Sequence, residues 1–520
     1  MPGATRSVKI LLTAAEAYPA LERAFLAAKT EIWASFMIFD LSTRLRSDEG
    51  RAIGKTWFDL VVHTLNRGVA LHISISDVDP IARAAMHRAA CRHQRMFFAA
   101  AGVAEPGAKL HVRRLRHSAE TGVLIRLLIW PYIMQKVFRT ARWLNRQTPA
   151  IRQAALRDME GAVRNLHVRK DGTVRPKFRA LPRLFPSLHH QKLAVIDRKL
   201  LYIGGLDLDE RRYDTPFHRR PGDETWHDVQ LMIEGAVVAE AQAHLETFSD
   251  VIDGRIAPAR TRRLLRTLSR PRRHSLWHFG PEPLVTEFYS AHGVLARRAK
   301  DLIYIETQYF RDPSLAKVLA EQARRKPSLK LILILPAAPD DVAFDGRRGL
   351  DARFGEAMQA RALRILRGGF GARLFVGSPA QPRPALPDGR ADPADRRDRH
   401  FGAPMVYVHA KVSVFDDFAA VVSSANLNGR SLRWDTEAGV YLNAPNDVLE
   451  LRHRVMAHWL PPDTGPEAYD MQTALAFWKT HAWRNAARHP RDRQGYLLPH
   501  DFAAAEAFGR KPPILPGEFV

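Results

Sequence analysis

Leu188-His-His-Gln-Lys-Leu-Ala-Val-Ile-Asp197, continued by Leu200-Leu-Tyr-Ile-Gly-Gly-Leu-Asp207, is the stretch on which the fold turns. His190, Lys192 and Asp197 follow the pattern H-x-K-x4-D, which returns as His409, Lys411 and Asp416 in Val408-His-Ala-Lys-Val-Ser-Val-Phe-Asp416. Side chains two apart on a strand share a face, so His190 and Lys192 project together, as do His409 and Lys411. Leu193, Val195, Val412 and Val414 are the expected buried partners. Each Asp ends its strand at a short polar turn, and a second apolar run follows (Leu200–Ile203, Ala419–Val422). Gly204-Gly205-Leu206-Asp207 stands at the same offset from His190 as Ser423-Ser424-Ala425-Asn426 does from His409. One such pattern alone carries little. Two, with matched downstream turns, predict duplicated halves packed about a pseudo-twofold axis, with both His/Lys pairs at one cleft.

Outward from the motifs, strand-like and helical runs alternate. The first half has strand-like runs at 8–12, 31–39, 68–76 and 109–115, with a helical pattern over 19–29. The second has helix 283–300, strand 302–306, helix 315–325 and strand 329–335. That alternation predicts an α/β fold: two pseudo-twofold-related α-β-α sandwich lobes with the active site at their interface. The first lobe is expected over 1–253, with an insertion at 118–185. A basic linker follows over 254–280, then the second lobe over 281–460 and a wrapped C-terminal extension over 461–520. Residues 381–399, dense in Pro, Asp and Arg, are expected to form a surface loop near the second motif.

Within the insertion, 121–147 mixes Leu124, Leu127, Leu128, Trp130, Tyr132, Phe138 and Trp143 with Arg126, Lys136, Arg139 and Arg142. The pattern suits an amphipathic helix pair packed on the domain, or a basic, aromatic segment lying on a lipid surface.

The chain has 520 residues and 79 Lys and Arg against 55 Asp and Glu, a net charge of +24. It is long enough for more than one domain. The charge favours polyanionic partners: nucleic acid, anionic lipid surfaces or phosphorylated substrates. A single cysteine, Cys91, excludes an internal disulfide. No signal peptide or membrane-spanning stretch is expected, because the longest apolar run, 123–134, is interrupted by Arg126 and Pro131. The expected location is cytoplasmic or peripheral-membrane, with non-classical secretion as the alternative.

Two facing His/Lys pairs suit phosphodiester chemistry. Lysine ammonium groups can hold the non-bridging oxygens, one neutral imidazole can attack phosphorus, and a protonated one can donate to the departing alkoxide. Such a nucleophile and acid need different protonation states, which nearby carboxylates can set. Asp228, in Thr225-Trp-His-Asp-Val229, and Glu437, in Trp434-Asp-Thr-Glu-Ala438, are the candidate orienting groups, each on the strand after its own motif. Asp197 and Asp416 are counted with the motif, a turn or supporting role being favoured over direct chemistry. No metal or cofactor is expected. His189 and His190 face opposite ways on a strand, and no Cys or carboxylate cluster accompanies them.

These residues resemble the phospholipase D superfamily, whose signature is a duplicated H-x-K-x4-D motif. The likeness covers most of residues 8–460 and is nearest the eukaryotic-type phospholipases D. The first motif reads H-H-x-K-x-x-x-I-D and runs on to G-G-x-D. Trp226-His227-Asp228 resembles that group's W-H-D stretch. Ile303-Tyr-Ile-Glu-Thr-Gln-Tyr-Phe310 resembles its Y-I-E-N-Q-Y-F segment, with Thr307 in place of Asn. The resemblance implies His190 as nucleophile and His409 as general acid. It implies Lys192, Lys411 and Asn426 as phosphate ligands, with Ser424 beside them. Asp207 departs from the Asn common at its position, and Ser423 from a Gly. No calcium dependence is implied. The implied activity is hydrolysis of a glycerophospholipid to phosphatidic acid and a free headgroup through a phosphohistidine, with transfer to another alcohol as a side outcome. The implied partners are that lipid and an anionic membrane surface. A phosphatidyl transferase of the cardiolipin synthase kind and a nuclease are the competing readings.

Overall fold

Consecutive apolar residues such as Leu331-Ile332-Leu333-Ile334 must be covered on both sides, which suits central strands of parallel pairs more than an exposed sheet. A computed structural model describes residues 7–179, 181–273, 275–346, 349–386, 397–510 and 516–519. Two large sheets carry the chain. The first has seven strands in the order Val8–Leu12, Val229–Glu234, Leu200–Gly204, Leu193–Ile196, Glu31–Phe36, Ala70–Asp77, Leu110–Arg116. The second has nine, in the order Glu282–Thr286, Leu264–Arg270, Glu437–Leu442, Ala419–Ser423, Lys411–Phe415, Leu302–Thr307, Lys330–Ile334, Leu374–Pro379, Leu497–Pro499.

The two orders superpose strand for strand around the motif hairpins. Leu193–Ile196 lies between Leu200–Gly204 and Glu31–Phe36, both antiparallel to it. Lys411–Phe415 lies likewise between Ala419–Ser423 and Leu302–Thr307. In each sheet the partner strand then continues into parallel pairs. The fold is therefore α/β with two related lobes. Leu193, Val195, Val412 and Val414 enter one core shared by both sheets and the helices Ala236–Ile252 and Pro445–Ala457. The outer face of the first sheet packs on helices Thr13–Ala27, Trp57–Asn66 and Ala84–Val103. The outer face of the second packs on Glu287–Arg298, Pro313–Arg325 and Leu350–Phe370.

Three expectations need correction. The linker placed at 254–280 contains Leu264–Arg270, a strand paired with Glu437–Leu442, so much of it belongs to the second sheet. The helix expected from 283 begins at Glu287, because Glu282–Thr286 first adds an edge strand. The C-terminal extension does more than wrap: Leu497–Pro499 pairs with Leu374–Pro379, and Trp478 of helix Ala474–Ala487 is buried in the shared core. Short polar-flanked strands and a bulged edge carry too little period for pattern reading. Most of the Pro- and Asp-rich loop at 381–399 lies outside the described residues.

The insertion folds on itself. Helices Val123–Leu128, Trp130–Asn145 and Pro149–Arg157 and the hairpin Leu166–Val168/Val174–Pro176 surround a small core that includes Ile133, Val137, Ala141 and Leu144. Trp130 and Trp143 are partly buried against that core, and the Arg88 guanidinium lies over the Trp143 ring. Leu124, Leu127, Leu128 and Phe138 face outward, as do Phe178 and, on a loop bonded to this helix, Leu276 and Trp277.

Candidate active site

Each motif enters its strand by crossing to the other half of the chain. The His190 amide donates to the Thr436 carbonyl at 2.8 Å, and the Thr436 amide to the Leu188 carbonyl at 2.9 Å. The same arrangement recurs around the second motif. The His227 amide donates to the Tyr407 carbonyl, and the His409 amide returns to the His227 carbonyl, both at 2.8 Å. Thr436 immediately precedes Glu437 and His227 immediately precedes Asp228. These rungs therefore set each motif histidine beside the acid of the opposite lobe.

The carboxylates are exchanged. His190 Nδ1 lies 3.0 Å from Glu437 Oε1, and His409 Nδ1 lies 2.6 Å from Asp228 Oδ2. Each acid follows its own motif in sequence but serves the other motif's histidine, a pairing that spacing along the chain does not disclose. With Nδ1 engaged, Nε2 is the nitrogen each ring has left for a substrate. The surroundings of the two acids differ. Ser424 donates to Glu437 Oε2 at 2.5 Å. At the matching position a Cβ on Gly205 would come within 2.3 Å of Asp228 Oδ1, so the absence of a side chain makes room for Asp228.

Both lysines are buried beside their histidines. Lys192 Nζ donates to the His190 carbonyl at 2.5 Å and lies 3.7 Å from Asp207 Oδ2. Lys411 Nζ lies 2.9 Å from His409 Nδ1 and donates to the His409 carbonyl. Arg212, in a loop whose sequence carries no recognisable signal, adds a third cation. Its Nη1 donates to Asp207 Oδ2 at 2.7 Å, and its guanidinium lies over the Trp226 ring. Asp207 thus partners cations, and its other oxygen accepts the Ile38 amide. Asn426 donates to Gln308 Oε1 at 3.0 Å, and Gln308 in turn donates to the Tyr407 hydroxyl. The Asn426 side-chain Oδ1 is buried without a hydrogen-bond partner.

Asp197 and Asp416 do not stand with these groups, which corrects their place in the catalytic set. Asp197 accepts the amides of Lys29, Thr30 and Glu31 and the Thr30 hydroxyl. Asp416 accepts those of Lys300, Asp301 and Leu302. Both residues have positive φ, 50° and 47°, at the far ends of their strands, where a carboxylate locks the turn. Ser424, read from the resemblance as lying beside the phosphate, spends its hydroxyl hydrogen on Glu437.

Dense burial and like charges set the electrostatics. Burial pushes His190 well below the usual imidazole range, helped by Lys192 and Lys411. Burial does the same to His409, helped by Lys411, Arg212 and Lys192. Burial pulls Lys411 down to about 7 against the upward pull of Asp228, and lifts Glu437 to about 7 against Lys192. In the free site both rings are therefore neutral, and Lys192, Lys411 and Arg212 stand among the carboxylates Asp207, Asp228 and Glu437.

A family model described as cardiolipin synthase, PLD-like domain, matches residues 295–459, the stretch containing the second motif and Glu437. The chain is 21% identical over 361 residues to phospholipase D alpha 1 of Arabidopsis thaliana, covering 47% of this chain and 44% of that one. It is 23% identical over 330 residues to phospholipase D1 of Schizosaccharomyces pombe, covering 47% of this chain and 24% of that one. The chain is thus similar to the phospholipase D superfamily within its second half and over about half its length to these two relatives. Its match spans less than half the length of these phospholipase D relatives. Among solved structures, the phosphatidylserine synthase of Haemophilus influenzae aligns over 87% of this chain and 85% of that one, at 13% identity and a TM-score of 0.48.

Proposed function

We propose that this chain is a lipid phosphodiesterase of the phospholipase D superfamily that hydrolyses glycerophospholipids to phosphatidic acid and a free headgroup. The observation that carries the reading is the crossed pair of histidine–carboxylate contacts, which gives two imidazoles fixed by Nδ1 amid two buried lysines and the half-buried Arg212. The substrate's phosphate meets the lysines that flank the two rings. Lys192, Lys411 and Asn426 hold its non-bridging oxygens, and their charge stabilises the transition state. His190 Nε2 donates its electron pair to phosphorus while the bond to the headgroup oxygen breaks. His409, whose proton affinity rises when the bound anion offsets its cationic neighbours, gives a proton to that oxygen. The resulting phosphatidyl-histidine is resolved by water: His409 takes a proton from it, hydroxide adds to phosphorus, and the P–N bond breaks. Glu437 and Asp228 are positioning residues for His190 and His409.

An alcohol can take the place of water in the second half. The match to a family model named for cardiolipin synthase favours phosphatidyl transfer as the second reading, with the same residues in the same roles. The outward-facing Leu124, Leu127, Leu128 and Phe138, set among Lys136, Arg139 and Arg142, support docking on an anionic membrane surface. Among the described residues no helix is long and apolar enough to cross a membrane.

The test is incubation of the purified chain with phosphatidylcholine or phosphatidylethanolamine vesicles plus a primary alcohol, with DNA in parallel. The reading expects phosphatidic acid and phosphatidyl alcohol, both absent with His190→Ala. DNA cleavage without lipid turnover would replace it with a nuclease.

A further inference from the structure

Directly behind the Asp228–His409 pair lies a second cluster of ring nitrogens that the phosphodiester chemistry does not use. His218, His227 and His458 each bring a nitrogen to within 4.8 Å of the other two. They come from three parts of the chain. His218 is in the loop that also carries Arg212, at φ 46°. His227 is the residue whose carbonyl receives both the His409 and Ala410 amides. His458 ends the helix Pro445–Ala457 of the second half.

The rings are held by groups on their outer sides. His218 Nδ1 lies 2.6 Å from Asp214 Oδ2, an oxygen that also accepts the Trp226 amide at 2.7 Å. His227 Nε2 lies 3.0 Å from Glu306 Oε2. The other Glu306 oxygen takes the Tyr304 hydroxyl at 2.6 Å and the Trp459 indole N–H at 2.8 Å. That leaves His218 Nε2 and His227 Nδ1 for the cluster. His218 Nε2 is 2.8 Å from His458 Nε2. His227 Nδ1 is buried and has no partner. A buried ring nitrogen left unpaired is destabilising, so it calls for a ligand.

We propose that His218 Nε2, His227 Nδ1 and His458 Nε2 bind a divalent transition-metal ion of the zinc class, with an exogenous fourth ligand, as a brace for the segment that presents Asp228. Three imidazoles without thiolates fit Zn2+ rather than a hard cation such as Mg2+ or Ca2+. A tetrahedral zinc with ligands near 2.0 Å separates its nitrogens by about 3.3 Å and its imidazole centres by about 5 Å. The ring centres here are 4.4, 5.0 and 6.0 Å apart, spacings that bracket that value. Asp214 and Glu306 supply the outer carboxylates that fix metal-bound imidazoles by their second nitrogen. The ion joins the two halves through His458 and fixes the His227 carbonyl on which the His409 backbone hangs. That bracing of His409 rests on the proposed function; the binding itself does not.

Metal analysis separates the two. The 520-residue chain, stripped with a chelator and then dialysed against Zn2+ and washed, should retain about one zinc per chain. Replacing Zn2+ by Co2+ should give the visible absorption of a tetrahedral nitrogen-ligated centre. His218→Ala and His458→Gln should each lower retained zinc at least tenfold, while His453→Gln, exposed on the same helix, leaves it unchanged. Zinc should raise the Tm of the stripped wild type and not that of His458→Gln. If the variants fail to fold, the wild-type cobalt spectrum and zinc stoichiometry decide alone. Stripped wild type that retains less than about a tenth of an equivalent, or His458→Gln that holds zinc as wild type does, overturns the proposal. Zinc retained by a chain that turns over no lipid would refute the proposed function and leave the metal site standing.

Discussion

His409 Nδ1 lies 2.6 Å from Asp228 Oδ2, across 181 residues of sequence and from one lobe to the other. The mirror contact, His190 to Glu437, spans 247 residues. Neither lobe alone supplies the carboxylate partner of its own motif histidine.

Asp228→Asn keeps the shape but removes the charge that orients His409. Turnover should fall by on the order of 10²–10⁴-fold with KM changed little, the pattern of a lost positioning contact. A soluble diester separates this from membrane effects. Turnover above a tenth of wild type would remove Asp228 from the account.

Lys411 gives the pH dependence. Burial lowers it to about 7, so it is charged below that pH and neutral above it. KM for a soluble diester should therefore rise as pH climbs from about 7, by up to tenfold per unit, until bound phosphate restores the proton. Lys411→Arg, which stays charged, should flatten that rise. An unchanged slope in the arginine variant would mean another group titrates.

Asp197 is expected to matter for stability. Asp197→Ala leaves three backbone amides without their acceptor, and about 1–3 kcal/mol of stability should be lost while turnover stays within about twofold. Burial alone would raise this carboxyl, but donors from Thr30, Lys29 and Glu31 outweigh it and hold it below the ordinary range. A lowered acid stabilises the fold fully above its unfolded value, about 4, and loses that contribution as pH falls through the folded value. The Tm gap between wild type and variant should narrow in that acid window. A gap independent of pH, or lost turnover, would contradict this role.

The outward face of the insertion should carry membrane contact. Leu127→Asp with Leu128→Asp should weaken binding to anionic vesicles at least tenfold and spare hydrolysis of a soluble diester. Trp143→Ala, by contrast, removes a ring packed under Arg88 and should lower Tm instead. Equal loss on both substrates in the leucine variant would make that face structural.

How much of this was legible in the sequence follows from the kind of signal each feature leaves. The duplicated motif fixed the lobes, because His190/Lys192 and His409/Lys411 keep strand spacing and their downstream turns keep step. The acids Asp228 and Glu437 were visible as candidates, but their exchange between lobes arises from the rungs at Thr436 and His227, and spacing along one chain says nothing about rungs between halves. Arg212 left no trace, since an arginine in a loop of arginines is distinguished only by the ring and carboxylate it meets. The strands Leu264–Arg270 and Leu497–Pro499 were hidden for a related reason: one carries two arginines and the other is three residues long.

The central claim is that the halves build one site in which His190 attacks phosphorus. It is met most directly by mixing the His409→Asn variant with a phosphatidyl ester of p-nitrophenol, whose departure needs no acid, then quenching in alkali and locating the adduct by peptide mass. The account predicts a phosphatidyl group on the peptide containing His190, approaching one per chain, and none with His190→Asn. An adduct on any other residue, or release of nitrophenol with His190 unmodified throughout, would contradict it.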